Sequence, residues 1–383
     1  MALWWGASLK KLFIAICLIA LPVSAVFSTD MNEALKASKL NGKLFFIAQD
    51  LSAPVVQGIG IAKRIYEMPV SGSKPIATLT SFFKASDLTW YPRLQVLGFS
   101  NLSDTKNLEG WFQFKPTDVL IGTEVNATNI SRTLPLDFHV NFYGLTTIYD
   151  EIQPYFDTRV TLSPDGGKVA GLLHAPEHPE IHQVCITDTH GVAAPNCVEG
   201  ISGCIGHSPT WSPDGEWIVF AGHIKANRSQ FCNLFELFII DKNGKNLKQL
   251  TDVPGEKLTG ISAQSIVVAG KKEQYVQKSG HPAWSPDGQW IAFETPRGIC
   301  KIHPNGTSFE IIVKNGFSPT WSPDGRMIAY IAARKDSRAT KASYWPYFGA
   351  TSIYISWADG TGEKEVVRDN DILFADSNLN WAE

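Results

Sequence analysis

The stretch Ser208-Pro209-Thr210-Trp211-Ser212-Pro213-Asp214-Gly215 decides the fold. It returns at His281–Gly288 as His-Pro-Ala-Trp-Ser-Pro-Asp-Gly and at Ser318–Gly325 as Ser-Pro-Thr-Trp-Ser-Pro-Asp-Gly. A worn copy, Arg-Val-Thr-Leu-Ser-Pro-Asp-Gly, occupies Arg159–Gly166. Each copy runs into a short apolar segment: Trp217–Phe220, Trp290–Phe293, Met327–Tyr330 and Lys168–Leu172. Pro-Asp-Gly between two β-rich runs is a turn with a mechanism. Proline presets φ, aspartate bonds the nearby backbone, and glycine accepts positive φ. The turn therefore joins an inner strand to a second, mostly apolar strand. A third strand is expected at Leu234–Ile240, Ile299–His303, Ser352–Trp357 and His182–Ile186. A fourth is expected at Leu247–Thr251, Phe309–Val313, Glu363–Val367 and Pro195–Val198. Four strands repeated in tandem make the blades of a β-propeller. In this reading the turn aspartates are structural.

The pattern extends outward from these clear blades, placed at residues 157–370. Lys43–Ala48, Arg64–Val70 and Pro75–Thr80 read as the second, third and fourth strands of a blade that lacks its first. Asn378-Leu379-Asn380-Trp381 places a tryptophan as the inner strands do, so residues 377–383 are expected to close the ring by joining that first blade, which removes a free edge. A second blade is expected at Thr89–Tyr91, Gln95–Phe99, Gly110–Phe114 and Val119–Val125. These two weaker blades span 43–128, an insertion follows at 129–156, and the whole propeller spans 43–383. The fold class is thus all-β, a six-bladed propeller of four-stranded blades closed by the C-terminal strand, with five and seven blades as the alternatives.

Residues 1–25 read as a secretory signal: Lys10 and Lys11, the apolar run Leu12–Leu21, then Val23-Ser24-Ala25 at a small-residue cleavage site. Residues 26–42 form a lead into the first blade. The apolar run is short for a membrane span, so none is expected after cleavage. Cys185 and Cys197 are equidistant from Gly191 in a strand hairpin and are expected to pair. Cys204 and Cys232, in neighbouring loops on one face, are expected to form a second disulfide and leave Cys300 free. Sequons stand at Asn101, Asn126, Asn129, Asn227 and Asn305.

The recurring Trp-Ser-Pro-Asp-Gly resembles the repeat of the TolB-like propellers, from about Phe156 to the end of the chain. The resemblance implies a secreted or periplasmic, non-catalytic scaffold that takes a protein partner at the channel mouth. It departs from TolB itself, where an α/β domain precedes the propeller. The partner-contact candidates at the starts of the inner strands are Asp87, Arg159, His207, His281, Phe317 and Asn378.

The formal net charge is −3, and no basic run interleaves with aromatics, which argues against a nucleic-acid partner. No Gly-x-Ser-x-Gly elbow, phosphate loop or Cys-x-x-Cys appears. His174-Ala175-Pro176-Glu177-His178 matches an inverted zincin pattern, but Pro176 and Pro179 break the helix that chemistry needs. Loops alternate between the two propeller faces, and this gathers His174, His178, His182, His207, His223 and His281 on one face. That cluster is the basis of the alternative function, a saccharide lyase or hydrolase assisted by one divalent metal ion. The leading reading has no cofactor.

Overall fold

A computed structural model describes residues 42–50, 63–72, 74–77, 85–101, 110–114, 128–129, 156–175, 178–189, 196–199, 201–203, 209–224, 236–251, 264–268, 271–275, 280–295, 297–333, 351–368, 372–373 and 379–383. Contacts divide the chain into two units, Met1–Asn41 and Gly42–Glu383, and every described element lies in the second. Among the described residues there is no helix. The strands form antiparallel sheets, mostly of four strands and in two cases of five, that are the blades of a propeller, with one further two-stranded hairpin.

The first sheet joins Lys43–Asp50, Lys63–Pro69 and Ile76–Ala77. Asn380–Ala382 pairs with the other side of Lys43–Asp50, with Trp381 opposite Leu44, and Ile372–Leu373 pairs beyond it. The second sheet is Ala85–Tyr91, Val96–Asn101, Gly110–Phe114 and Thr128–Asn129. The third is Phe156–Leu162, Lys168–Ala175, His178–Asp188 and Asn196–Cys197. In the fourth, Thr210–Trp211 and Ile201–Gly203 both pair with Trp217–Ile224, followed by Glu236–Asp241 and Lys248–Gln249. The fifth is Gly280–Trp284, Ile291–Thr295, Gly298–Ile302 and Glu310–Lys314. The sixth is Gly316–Trp321, Met327–Ala333, Thr351–Trp357 and Lys364–Val367. A separate hairpin, Gln264–Val268 with Lys271–Tyr275, precedes the fifth sheet.

Three expectations need correction. The fourth strand of the second sheet is Thr128–Asn129, which crosses into the stretch read as an insertion; Val119–Val125 lies outside the described residues. In the third sheet the segment read as a loop around His178 is strand: His178–Asp188 is one strand, and His182 stands directly opposite His174. Pro179 falls within a register shift between His178 and His182, where a strand can take a proline; Pro176 lies outside the described residues. The connection to the fourth sheet also carries an unforeseen strand, Ile201–Gly203. Cys185 and Cys197 do pair: they face each other across the third and fourth strands and form a disulfide. Cys204 and Cys232 lie outside the described residues. Cys300 is a free, buried thiol whose burial pushes its pKa up.

Each Ser-Pro-Asp-Gly turn is the same small network. Ser212 Oγ donates to Asp214 Oδ1 at 2.5 Å, Glu216 N–H donates to the same oxygen at 3.0 Å, and Trp217 N–H donates to Ser212 Oγ at 2.9 Å. Ser163, Ser285 and Ser322 repeat it with Asp165, Asp287 and Asp324. The Ser163 hydroxyl and the Gly167 N–H hold the Asp165 carboxyl below its ordinary value of 3.8. At Asp214 and Asp324 burial pushes upward, but the serine and backbone donors outweigh it and the net shift is down. Gly215 has φ 78°, and a Cβ there would meet Pro164 Cδ of the preceding sheet at 3.5 Å. Three turns thus rest their glycine on the proline of the turn before, as Gly288 does on Pro213 and Gly325 on Pro286, while Gly166 meets Leu94 instead.

Between sheets, the inner-strand tryptophans reach across. Trp211 Nε1 donates to Thr161 O at 3.2 Å, Trp284 Nε1 to Thr210 O at 3.2 Å, and Trp321 Nε1 to Ala283 O at 3.0 Å. Around these bonds lie separate apolar cores, one per gap. Phe220, Phe238 and Val184 fill the gap between the third and fourth sheets; Phe293, Leu237 and Val219 fill that between the fourth and fifth; Tyr330, Ile299 and Ile328 fill that between the fifth and sixth. At the outer rim a side chain on Gly360 would collide with the Ile312 carbonyl of the sheet before it, so glycine is required by close approach as well as by φ.

Two measurements test this scheme. The lowered aspartate pKa values mean that these carboxylates stabilise the fold fully above about 3.8, and that this contribution is lost as pH falls through their folded-state values. Thermal unfolding followed from pH 7 to pH 2.5 should therefore show stability falling below about pH 4. The Asp214→Asn, Asp324→Asn double variant should be less stable at pH 7 and show a shallower acid fall; an unchanged profile would place the acid sensitivity elsewhere. Trp321→Phe removes a buried donor and should cost about 1–3 kcal/mol in chemical unfolding. Trp217→Phe, at a residue 37% exposed, should cost less than about 0.5 kcal/mol.

Candidate functional site

Inner strands of successive sheets, Asn380–Ala382 among them, line one cavity of about 500 Å³. This is a size typical of ligand pockets. Equivalent repeat positions supply its wall. One set is Thr89, Thr161, Thr210, Ala283, Thr320 and Asn380; a second, from the turns, is Pro92, Pro164, Pro213, Pro286 and Pro323. The second sheet contributes through Tyr91-Pro92-Arg93-Leu94, a turn in the Ser-Pro-Asp-Gly place in which tyrosine replaces serine and arginine replaces aspartate. Tyr91 OH accepts from Leu162 N–H at 3.1 Å, so the ring oxygen does between sheets what serine does within one.

Asn380 joins the first sheet to the second. Its Oδ1 accepts from Trp90 N–H at 2.9 Å, and its Nδ2 donates to Leu88 O at 2.8 Å. On the outer rim, Gly72 of the first sheet approaches Val366 O of the sixth, where a Cβ would stand 3.4 Å away. Trp381 Nε1 is buried and finds no acceptor among the described residues, unlike the three tryptophans above.

The most built-up polar feature of the wall lies between the fifth and sixth sheets. Both inner strands bulge at their start, between Gly280 and Ala283 and between Phe317 and Thr320. His281 and Ser318 sit in these bulges with φ 43° and 49°, a left-handed conformation that side chains other than glycine seldom take. The carboxylate of Glu294, 6% exposed, ties them together. Its Oε2 accepts from Ser318 N–H at 3.0 Å and lies 2.9 Å from His281 Nδ1. Sequence reasoning did not find Glu294. It is the last residue but one of a second strand, thirteen residues from His281, and only the pairing of Gly280 with Glu294 signals the proximity.

Of the residues expected to meet a partner, His281 lines the cavity. Phe317 is 7% exposed and buried in the core; its neighbour Ser318 holds the wall position, because the bulge shifts the register by one residue. Asp87 and Arg159 fall in the bulges of the second and third inner strands, while His207 and Asn378 lie outside the described residues. Of the six histidines read as a metal cluster, His281 is the one whose side chain is described. His174, His178, His182 and His223 are placed by backbone alone, and His207 is not placed. Among the described residues no three His, Cys, Asp or Glu side chains are grouped as metal ligands.

Replacing Asn380 tests the junction it makes. Asn380→Leu removes both bonds and should lower stability by about 2–3 kcal/mol, with Asn380→Asp keeping the acceptor and losing about half as much. Urea unfolding of the two variants checks this; equal stability of Asn380→Leu and wild type would mean that the side chain carries no load.

No protein-family model matches the chain, and no curated protein sequence matches it. Solved structures do. TolB from Acinetobacter baumannii superposes with a TM-score of 0.54 at 14% identity, over 92% of this chain and 70% of that one. A TolB from Agrobacterium tumefaciens superposes at 0.46 and 15% identity, over 89% and 99%. An oligogalacturonate lyase in complex with manganese superposes at 0.41 and 15%, over 86% and 74%. The repeated Trp-Ser-Pro-Asp-Gly turns, the four-stranded sheets and the likeness to the Acinetobacter protein agree: this chain has the fold of a TolB-like β-propeller.

Proposed function

We propose that the protein is a secreted or periplasmic, non-catalytic binding protein that takes a protein partner at one face of a closed, six-bladed propeller. The observation that carries the reading is the shared cavity. Its wall is built of proline rings, tryptophans and threonines from six successive sheets, with few charged groups. Apolar walls with a small number of placed polar groups are the usual make-up of a recognition site, and propellers carry their function at such mouths rather than in their blades. Ring closure is supported by the pairing of Trp381 with Leu44, by the Asn380 bridge to the second sheet, and by the approach of Gly72 to Val366. The signal-like residues 1–25 and the Cys185–Cys197 disulfide favour an oxidising compartment.

The test is position-specific photocrosslinking. The crosslinking amino acid p-benzoylphenylalanine is placed at Thr320 in the cavity wall and, separately, at Lys245 on an outer turn, and each variant is irradiated in extracts of the source cells. A discrete adduct from Thr320 that is absent from Lys245, and suppressed by excess unlabelled protein, is expected. No adduct at Thr320, or the same adducts from both positions, overturns the reading.

A further inference from the structure

We propose that the cavity takes a proline-rich segment of the partner, with the indole N–H of Trp90 donating to one of its main-chain carbonyls. This rests on the partner reading above. The repeat places a tryptophan at the same point of each inner strand except the third, where Leu162 stands. Trp211, Trp284 and Trp321 spend their indole N–H on a carbonyl of the sheet before. Trp381 of the first sheet and Trp90 of the second do not. Both line the cavity, and neither indole N–H has an acceptor among the described residues. At Trp90 the reason is Asn380, whose side chain already bridges the two sheets through the main-chain N–H of Trp90 and through Leu88 O. The indole of Trp90 is thereby released from that task, and its ring is only half-buried. Trp381 is 3% exposed. A buried donor left unmet is costly, and each one in a native structure calls for an explanation such as a ligand.

The acceptors beside these donors are already taken. Leu88 O accepts from Asn380 Nδ2, Asn380 Oδ1 from the main-chain N–H of Trp90, Pro92 O from Gln95 Nε2, and the Tyr91 hydroxyl oxygen from Leu162 N–H. Further round the wall, Thr161 O, Thr210 O and Ala283 O hold the other indoles. An ordinary extended peptide brings an N–H with every residue, and against this part of the wall those groups would lose water without gaining a partner. Proline brings a carbonyl and no N–H. A proline-rich segment therefore matches the wall in both respects, offering acceptors to the free indoles and asking for none in return. Its preformed extended helix loses little entropy on docking, and its rings pack on indole faces, the mode by which aromatic-lined grooves take such segments.

The probe is a phage-displayed heptapeptide library panned on the wild-type protein, which should enrich peptides with a recurring pair of prolines. The strongest peptide is then synthesised and varied at one of them. Alanine there brings back an N–H and should weaken binding about tenfold; N-methylalanine, which again lacks the N–H, should bind within about threefold of the parent. Trp90→Phe keeps a ring and loses the donor, and should weaken the parent peptide about tenfold. Thermal unfolding confirms that this variant is folded, and the N-methyl comparison needs wild-type protein alone. Enriched peptides without proline, no enriched peptide, N-methylalanine no better than alanine, or equal affinity of a folded Trp90→Phe overturns the proposal. A discrete Thr320 adduct beside any of these results would leave the partner reading standing and remove this one alone.

Discussion

The indole N–H of one inner strand, given to a carbonyl of the inner strand before it, sets the spacing on which the rest of the fold depends. Trp211, Trp284 and Trp321 make this bond at nearly the same length. An inner strand has one edge on its own second strand and the other toward the channel. Its carbonyls there are buried beside a neighbouring sheet, and an unmet carbonyl would cost more than the bond returns. The tryptophan meets it and fills the gap between sheets with its ring. The Ser-Pro-Asp-Gly network supplies the rigid corner from which the indole projects, and the proline-on-glycine stacking fixes one corner against the next.

A wall built this way has its chemistry largely assigned in advance. Thr161 Oγ1 is spent on Pro209 O. Variation enters where a repeat position changes residue. Tyr91 replaces serine and reaches the next sheet, Asn380 replaces threonine and binds both a donor and an acceptor of the second sheet, and His281 replaces serine in a bulge. These departures from the repeat mark the individual character of the cavity, while the turn aspartates, however depressed their pKa values, are occupied with holding corners.

Much of this was legible in the residues. Pro-Asp-Gly at a fixed interval from tryptophan gives turn, strand and blade together, because each residue has a local reason to be there. The Cys185–Cys197 pairing follows from symmetry about a turn. Legibility failed where a residue's partner is remote in sequence. Tyr91 acts as a turn serine only because its longer side chain reaches Leu162. Glu294 meets His281 only through a bulge, and the same kind of bulge puts Ser318 where Phe317 was expected. Pro179 excludes a helix correctly but suggests a loop, whereas a strand with a local shift of register also accommodates it.

The pairing of Asn380–Ala382 with Lys43–Phe45 joins segments from opposite ends of the described chain. Such a contact closes an enormous loop and comes late and slowly in folding. Until it forms, the strand at Lys43–Asp50 presents an open edge whose residues Leu44, Phe45 and Phe46 are all fully buried in the finished fold. An apolar edge waiting for its last strand is a template for pairing with another molecule. Self-association is therefore a hazard of this protein's assembly, greatest before that last strand is in place.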